Sequence, residues 1–359
     1  MSSILDELVA SYISSSGIKD NKEFKDAIYN KHDVSQILKV VNSKFLSILS
    51  KKNGRDFCCA VFQYDYLHPI SIIRNLVKEH KVNMHAIDYC GNNRLHNAVR
   101  FKASFPVIKY IIDEYTIHPE QKNFRNKNCL QLALEFNQDI TIIKYFVEIC
   151  KLDPRETDDY GNNALHLAVM FSCPLHIIKY FINERKMDPE FTNFYGCTCA
   201  HLTMHSCADF KIAKYFKEYG LDFSKKNNDG VLPLRLLVSR CDGFDYSPWI
   251  IFFAKELKIK PSDKDELNSS YLHTYVTYNN NINVCKLFVN EFKMNPKEKD
   301  INGQNCLHLA VCSKNSLQII KYFVEDCQID PSEKDIYESD AISDASGEIL
   351  EYFQKRSRS

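Results

Sequence analysis

The sequence predicts an all-α solenoid of helix-turn-helix units with short turn fingers and a helical cap at each end, and three recurrences predict it. A glycine or asparagine returns at a near-constant step, as Gly91, Asn126, Gly161, Gly196, Gly230, Asn268 and Gly303. A Leu-His pair follows at Leu95-His96, Leu165-His166, Leu272-His273 and Leu307-His308. Proline closes the unit in two runs, Pro119, Pro154, Pro189 and Pro261, Pro296, Pro331, each spaced by 35 residues. Self-similarity at such a period marks stacked repeats, in which one unit cannot bury its own apolar face and its neighbours supply the missing core.

The chain opens with Ile4, Leu5, Leu8, Val9, Tyr12 and Ile13, a helical stripe ended by Ser14-Ser15-Ser16-Gly17. Amphipathic segments at Glu23–Tyr29 and Val34–Leu46 follow, so residues 1–53 read as a helical N-terminal cap with a degenerate first repeat. The repeat array spans 54–334. Its first unit, 54–87, lacks the Leu-His pair but keeps Asn53-Gly54 and a helix over Pro69–Glu79.

From Asp88 each unit opens on a turn such as Asp88-Tyr89-Cys90-Gly91 or Asp158-Asp159-Tyr160-Gly161. The fourth position calls for positive φ, which Gly and Asn tolerate best, and the leading Asx side chain can bond the turn backbone. A short apolar helix follows, as at Ala164–Phe171, then a longer one, as at Leu175–Glu184, with an apolar stripe of Ile177, Ile178, Phe181 and Ile182. Asp-Pro ends the unit, because the residue before proline disfavours the α region. After Asp335 the turn signal decays into Ile336-Tyr337-Glu338, and 335–359 reads as a C-terminal capping helix around Gly347–Gln354 with a frayed tail.

The array is irregular over 231–280. The step shrinks to 34 residues from Gly196 to Gly230 and grows to 38 from Gly230 to Asn268. The small slot held elsewhere by Ala98, Ala133, Ala168 and Ala310 becomes Leu237 and Tyr275. Bulkier side chains where helices approach closely predict altered curvature or local mobility there.

The turn, the two helices and the Asx-x-x-Gly-x-x-x-Leu-His signature resemble the ankyrin repeat, in about eight or nine units. Two departures stand out. The family's usual Thr-Pro before Leu-His is replaced by Asn93-Arg94, Asn163-Ala164 and Asn305-Cys306, and the glycine after the second helix survives only as Gly220. The second helix is therefore expected to run further, which lengthens the step beyond the family's about 33 residues. The recurrent Ile-Ile-Lys-Tyr-Phe helix, at 142–146, 177–181 and 319–323, resembles that of long arrays in large DNA viruses of amoebae.

Composition narrows the function classes. Lys+Arg and Asp+Glu are equal at 46 each, which argues against a nucleic-acid or membrane-surface binder held by a global basic field. Asp6 and Glu7 stand where a signal peptide would be basic and then apolar. The expectation is a cytoplasmic monomer (in the host cytoplasm if viral) with reduced thiols. Cys129, Cys199 and Cys306 then act as small apolar residues just before the Leu-His slot.

Candidate chemistry competes with repeat positions. Cys197, Cys199, His201, His205 and Cys207 have short metal-like spacings, but His201 occupies the recurrent histidine slot and paired Cys-x-x-Cys knuckles are missing. Histidines 96, 166, 201, 273 and 308 could suggest general bases, yet a catalytic group has no reason to recur once per repeat. The ankyrin resemblance implies instead that this histidine bonds turn backbone. No phosphate-binding glycine loop, dinucleotide motif, zincin motif or nucleophile elbow is present. The sequence therefore predicts no enzyme and no cofactor. Lys109, Lys144, Lys179, Lys214 and Lys321 read as a solvated edge balanced by glutamates one turn on, and Phe101, Phe136 and Phe171 as core.

What varies within the frame is the finger tip, and four consecutive fingers carry aromatics there. The candidate partner-binding residues are Tyr89, Phe124, Arg125, Asp159, Tyr160, Phe194 and Tyr195. Aromatics and Arg dominate interface energetics, and the ankyrin resemblance implies a protein partner on this face. The competing reading is that tips pack on one another along the ridge. Two further functions stay open. One is a ubiquitin-ligase adaptor, which would need residues 1–50 because only 28 residues follow Pro331. The other is a metal protein centred on 197–207.

Overall fold

The computed structural model describes residues 69–80, 82–206, 210–240, 246–256 and 263–357. The expected N-terminal cap over 1–53 lies outside the described residues, as do the start of the unit at 54–87 and two stretches of the irregular region, 241–245 and 257–262. The chain divides into two compact units, Met1–Asp159 and Tyr160–Ser359. Among the described residues there are helices and no strand, apart from one antiparallel bridge between Lys334 and Asp340.

In the first unit, α1 (Pro69–His80) is followed by α2 (Arg94–Arg100), α3 (Phe105–Tyr115), α4 (Cys129–Leu132) and α5 (Ile140–Lys144). The second unit contains α6 (Ala164–Met170), α7 (Leu175–Lys179), α8 (Cys199–Ser206), α9 (Phe210–Tyr219), α10 (Pro233–Val238) and α11 (Ser247–Glu256). It continues with α12 (Tyr271–Tyr278), α13 (Ile282–Lys286), α14 (Cys306–Cys312), α15 (Leu317–Lys321) and α16 (Gly347–Arg356). Short first helices (α2, α4, α6, α8, α10, α12, α14) alternate with second helices.

The asparagines that replace the expected Thr-Pro are N-caps. Asn93, Asn163 and Asn305 accept the backbone N–H of the histidine three residues on, and the imidazole Nδ1 accepts the cap's own N–H, a reciprocal box that satisfies two orphan donors. Left-handed residues end these helices: Lys102, Ser172 and Lys314 have φ of 59°, 51° and 54°. The N–H groups of Ala103 and Cys173 then close back on Ala98 O and Ala168 O. Leu95, Ala98, Leu165, Ala168, Leu307 and Ala310 are wholly buried, and so are the larger Leu237 and Tyr275 in the irregular region.

Four of the second helices are extended in a way the sequence did not display. α5, α7, α13 and α15 are each continued by a π-wound turn, over Tyr145–Ile149, Tyr180–Glu184, Leu287–Glu291 and Tyr322–Asp326. Each π turn takes up one extra residue, with the N–H of Cys150, for example, reaching Tyr145 O. Lysine or glutamine (Lys151, Lys186, Lys293, Gln328) then holds the left-handed position where the family uses glycine. α9, which keeps Gly220 at φ +90°, is α throughout with a step one residue shorter, whereas α3 is α throughout at the full 35-residue step and carries its extra residue within the α-helix.

The lysine row is only partly what the sequence suggested. Lys214 pairs with Glu218 at i+4, but Lys179, Lys286 and Lys321 lie over the rings of Tyr215, Tyr322 and Tyr352 on the following second helix, at 5.2, 5.4 and 5.6 Å. Lys109 does the same to Tyr145 in the first unit while also bonding Asp113. The hydroxyls of Tyr215, Tyr322 and Tyr352 donate to Asn183, Asn290 and Glu325. Lys and a residue one turn on thus hold the next Tyr by face and hydroxyl, which is why Lys-Tyr recurs. Phe101, Phe136 and Phe171 are half-buried rather than core, because Phe101 and Phe171 are the C-caps of α2 and α6. Arg100 packs over Phe136.

Candidate finger-tip interface

The fingers are built by one carboxylate or amide each. Asp88 Oδ1 accepts the N–H of Cys90 and of Asn92, Asn193 does the same for Tyr195 and Cys197, and Asp265 for Leu267 and Ser269. The residue before the exit is left-handed in every described finger, from Gly91 at φ +74° to Gly303 at +73°, with Asn126 at +56° and Asn268 at +57°. The decayed signal at 335–338 is corrected by the structure. Asp335 still holds Tyr337 and Ser339 N–H, so the turn forms with Glu338 at φ +62°.

Successive fingers are joined through their tips. Phe124 N–H donates to Cys90 O in the first unit. In the second, Phe194, Asn228, Ile301 and Ile336 donate to Tyr160, Tyr195, Leu267 and Asn302. Below this ladder, Asn123 Nδ2 donates to Asn92 Oδ1 and Asn193 Nδ2 to Asn162 Oδ1. The rings of Phe124 and Phe194 lie against Gly91 and Gly161, where an added Cβ would come within 2.6 Å of ring carbon.

All seven predicted tip residues are exposed. In the first unit these are Tyr89, Phe124, Arg125 and Asp159, and in the second Tyr160, Phe194 and Tyr195. Phe124 and Phe194 are 71% and 68% exposed although one edge of each ring packs on the preceding glycine. Tyr160 and Tyr195 stack at 6.5 Å between centroids. Packing along the ridge and outward exposure therefore coexist in the same side chains. The apolar row is also longer than the aromatics suggested, since Leu267, Ile301, Ile336 and Tyr337 are exposed as well.

The histidines lock each finger to the next. Nε2 of His96, His166, His273 and His308 donates to the carbonyls of Gln121, Phe191, Glu298 and Glu333, at 2.7–2.9 Å, always 25 residues on. Because Nδ1 accepts a backbone N–H, the ring is the neutral tautomer protonated at Nε2. His201 makes the variant bond to Val231 O. Among the described residues its candidate metal partners form no group that could hold a metal ion. Cys199 is fully buried, with burial raising its thiol, Cys197 accepts from Asn227 Nδ2, His205 is exposed, and Cys207 lies outside the described residues.

Two occupants of the histidine slot escaped sequence reading, although both stand five residues after the left-handed position. Gln131 copies histidine, its Oε1 accepting Asn128 N–H and its Nε2 donating to Glu156 O. Arg235 is buried and donates to Asp265 and to the carbonyls of Asp263, Ser269 and Ser270. Asp263 lies 28 residues on, matching the histidine register once the three extra residues of that 38-residue step are counted.

Comparison with known proteins decides the family. The family model for ankyrin repeats (three copies) matches residues 130–227 and 251–335, just over half of the chain. The chain belongs to the ankyrin-repeat family. No curated protein sequence matches it. Among solved structures it is similar to the ankyrin repeat domain of Bcl-3, a member of the IkappaB protein family, with 18% identity, 64% of this chain and 97% of that chain covered, and a TM-score of 0.46. Ankyrin repeats are generic protein–protein interaction modules, typically non-enzymatic. Among the described residues no helix is long and apolar enough to cross a membrane.

Three of the recurrent histidines are expected to make the array acid-sensitive. Burial lowers the pKa of His96, His201 and His273 from the ordinary 6.5, against the raising effect of their carbonyl bonds. A folded value below the unfolded one means the unfolded chain takes up protons first as pH falls. The stabilisation is complete above about pH 6.5 and is lost as pH falls through the folded values. Thermal midpoints should therefore drop between pH 7.5 and 5. His273→Gln, which copies the non-titrating Gln131, should keep both bonds and shed part of that drop. An unchanged pH slope in the variant would exclude His273 as a contributor.

Proposed function

We propose that this ankyrin-repeat protein is a non-enzymatic recognition scaffold that binds another protein through its finger tips, with Tyr89, Phe124, Arg125 and Asp159 in the first unit and Tyr160, Phe194 and Tyr195 in the second. The observation that carries this reading is the exposure of large apolar side chains on a backbone already fixed by ladder bonds. Such side chains lose little conformational freedom on binding, so more of their burial energy appears as affinity. At about 25 cal/mol per Å² of apolar area, water contact on this scale is costly enough that a covering surface gains from removing it. The partner is a protein, as the family's generic role supports, and nothing in the reading requires a cofactor.

The test is affinity purification from cells of the source organism, or of its host. Wild type is compared with a chain carrying Tyr89→Ala, Tyr160→Ala and Tyr195→Ala, chosen because Phe124 and Phe194 also pack on glycine. The triple variant should melt within a few degrees of wild type and lose the captured partner at least tenfold, the sum of two or three interface side chains worth about 1 kcal/mol each. A partner retained at wild-type level by a folded triple variant would move the interface elsewhere.

A further inference from the structure

We infer that the tips of the second unit take an arginine side chain, presented on an extended segment of the partner protein, between the Tyr160–Tyr195 pair and the carboxylates of Asp229 and Glu266. The inference rests on the finger-tip reading and deepens it by naming the chemistry of the occupant. Tyr160 and Tyr195 are adjacent along the ladder, their rings within 25° of parallel and 6.5 Å apart between centroids, both more than half exposed. Such faces attract a cation, and arginine most, because its plane stacks while its charge meets the ring quadrupole.

The next finger supplies the counter-charge. Asn228 N–H bonds Tyr195 O and its Nδ2 bonds Phe194 O, which sets the 227–230 finger directly beside the finger that carries Tyr195, with Tyr160 one finger farther back. Asp229 is at its exposed tip. Glu266 reaches back over the same finger, its Oε1 lying 2.8 Å from where a Gly230 Cβ would stand. Neither carboxylate has a hydrogen bond or ion pair to its side chain among the described residues. At the finger bases, by contrast, Lys225, Lys264 and Lys299 are paired with Glu190, Glu298 and Glu333. Two carboxylates with no bonded partner, on the fingers that follow an exposed aromatic pair, favour a cationic group, and a guanidinium can stack on Tyr195 and donate a forked pair of hydrogen bonds at once. The hydrophobic tips farther on, Leu267 and Ile301, offer no such charge.

The probe is a rhodamine-labelled, end-blocked peptide of sequence Gly-Arg-Gly-Arg-Gly-Arg-Gly, titrated against the full chain by fluorescence anisotropy at low salt, with citrulline and lysine versions alongside. Citrulline keeps the planar shape and removes the charge. The arginine peptide should bind saturably, lysine more weakly, and citrulline about tenfold or more weakly. Tyr160→Ala/Tyr195→Ala and Asp229→Asn/Glu266→Gln should each cost about tenfold, while Ile301→Ala leaves binding unchanged, all with melting curves like wild type. No saturable binding, equal binding of the citrulline peptide, or binding that survives both double variants would overturn the inference. Because partner capture is scored by a separate measurement, tip-dependent capture alongside a silent arginine peptide would reject this occupant and leave the interface reading standing.

Discussion

Gly161→Ala is expected to lower the stability of the second unit by about 3 kcal/mol, read as a shift of the denaturant midpoint at unchanged slope. Two costs add. The first is conformational, because φ is +77° there and an L side chain in the left-handed region costs about 1–2 kcal/mol. The second is steric, since the new Cβ would stand 2.7 Å from the backbone nitrogen of Phe194 and 2.6 Å from its ring. The backbone nitrogen cannot rotate aside, and its N–H is the one that bonds Tyr160 O. The strain must therefore push the two fingers apart and weaken that rung. Gly220→Ala separates the two costs, because Gly220 has φ +90° with nothing within 4 Å of an added Cβ. It should lose only the conformational part, about 1–2 kcal/mol. Equal losses at the two positions would mean that ring and finger contact contributes nothing. In a stacked array such damage stays with neighbouring repeats, so hydrogen exchange should quicken around 161–196 before it does near 335.

That contrast shows which parts of the molecule were legible in the sequence. Where a position is set by the local backbone, as with Gly161, Asn268 or the capping Asn163, the chemistry recurs in residue identity and the period exposes it. The fold class followed from those positions. Where a role is set by a contact one repeat away, identity can change while the role stays, and the pattern dissolves. Gln131 and Arg235 both hold the next finger from the histidine slot, but neither is a histidine. Lys179 looked like an i+4 partner because its real partner, the Tyr215 ring, is 36 residues distant in sequence. The π turns were visible only as a residue of extra length. Glu338 hid a complete turn because the sequence signal was read from the fourth position, whereas the bonds come from Asp335. The tips were the easiest residues to nominate, since the frame leaves them free. Their partial packing on Gly91 and Gly161 was not legible, because glycine carries no side chain to announce a contact.

Arg235→Leu should be the more damaging of the two substitutions, costing about 3–5 kcal/mol, the usual penalty when one member of a buried ion pair is removed. Arg235 is 5% exposed, and its guanidinium lies over the Tyr271 ring at 4.8 Å while donating to Asp265, to Thr274 and to three backbone carbonyls. Burial lowers its pKa and the neighbouring Asp265 raises it, a balance that holds only while both are present. Leucine would fill the space but take the guanidinium from Asp265 and from Asp263 O, while Ser269 O and Ser270 O would keep the N–H groups of Asp265 and Thr274. Arg235→Lys should fall in between, since a single ammonium cannot span acceptors on both sides of the 265–269 turn. The decisive variant is Arg235→Leu/Asp265→Asn. Asparagine can still offer one oxygen to the N–H groups of Leu267 and Ser269, so the finger survives while the stranded charge is gone. If the loss comes mainly from an unpaired carboxylate, the double variant should regain about 1–2 kcal/mol over Arg235→Leu alone. If instead it matches or falls below the single variant, the carbonyl bonds hold the joint, and arginine is there for its reach across the three inserted residues rather than for its charge.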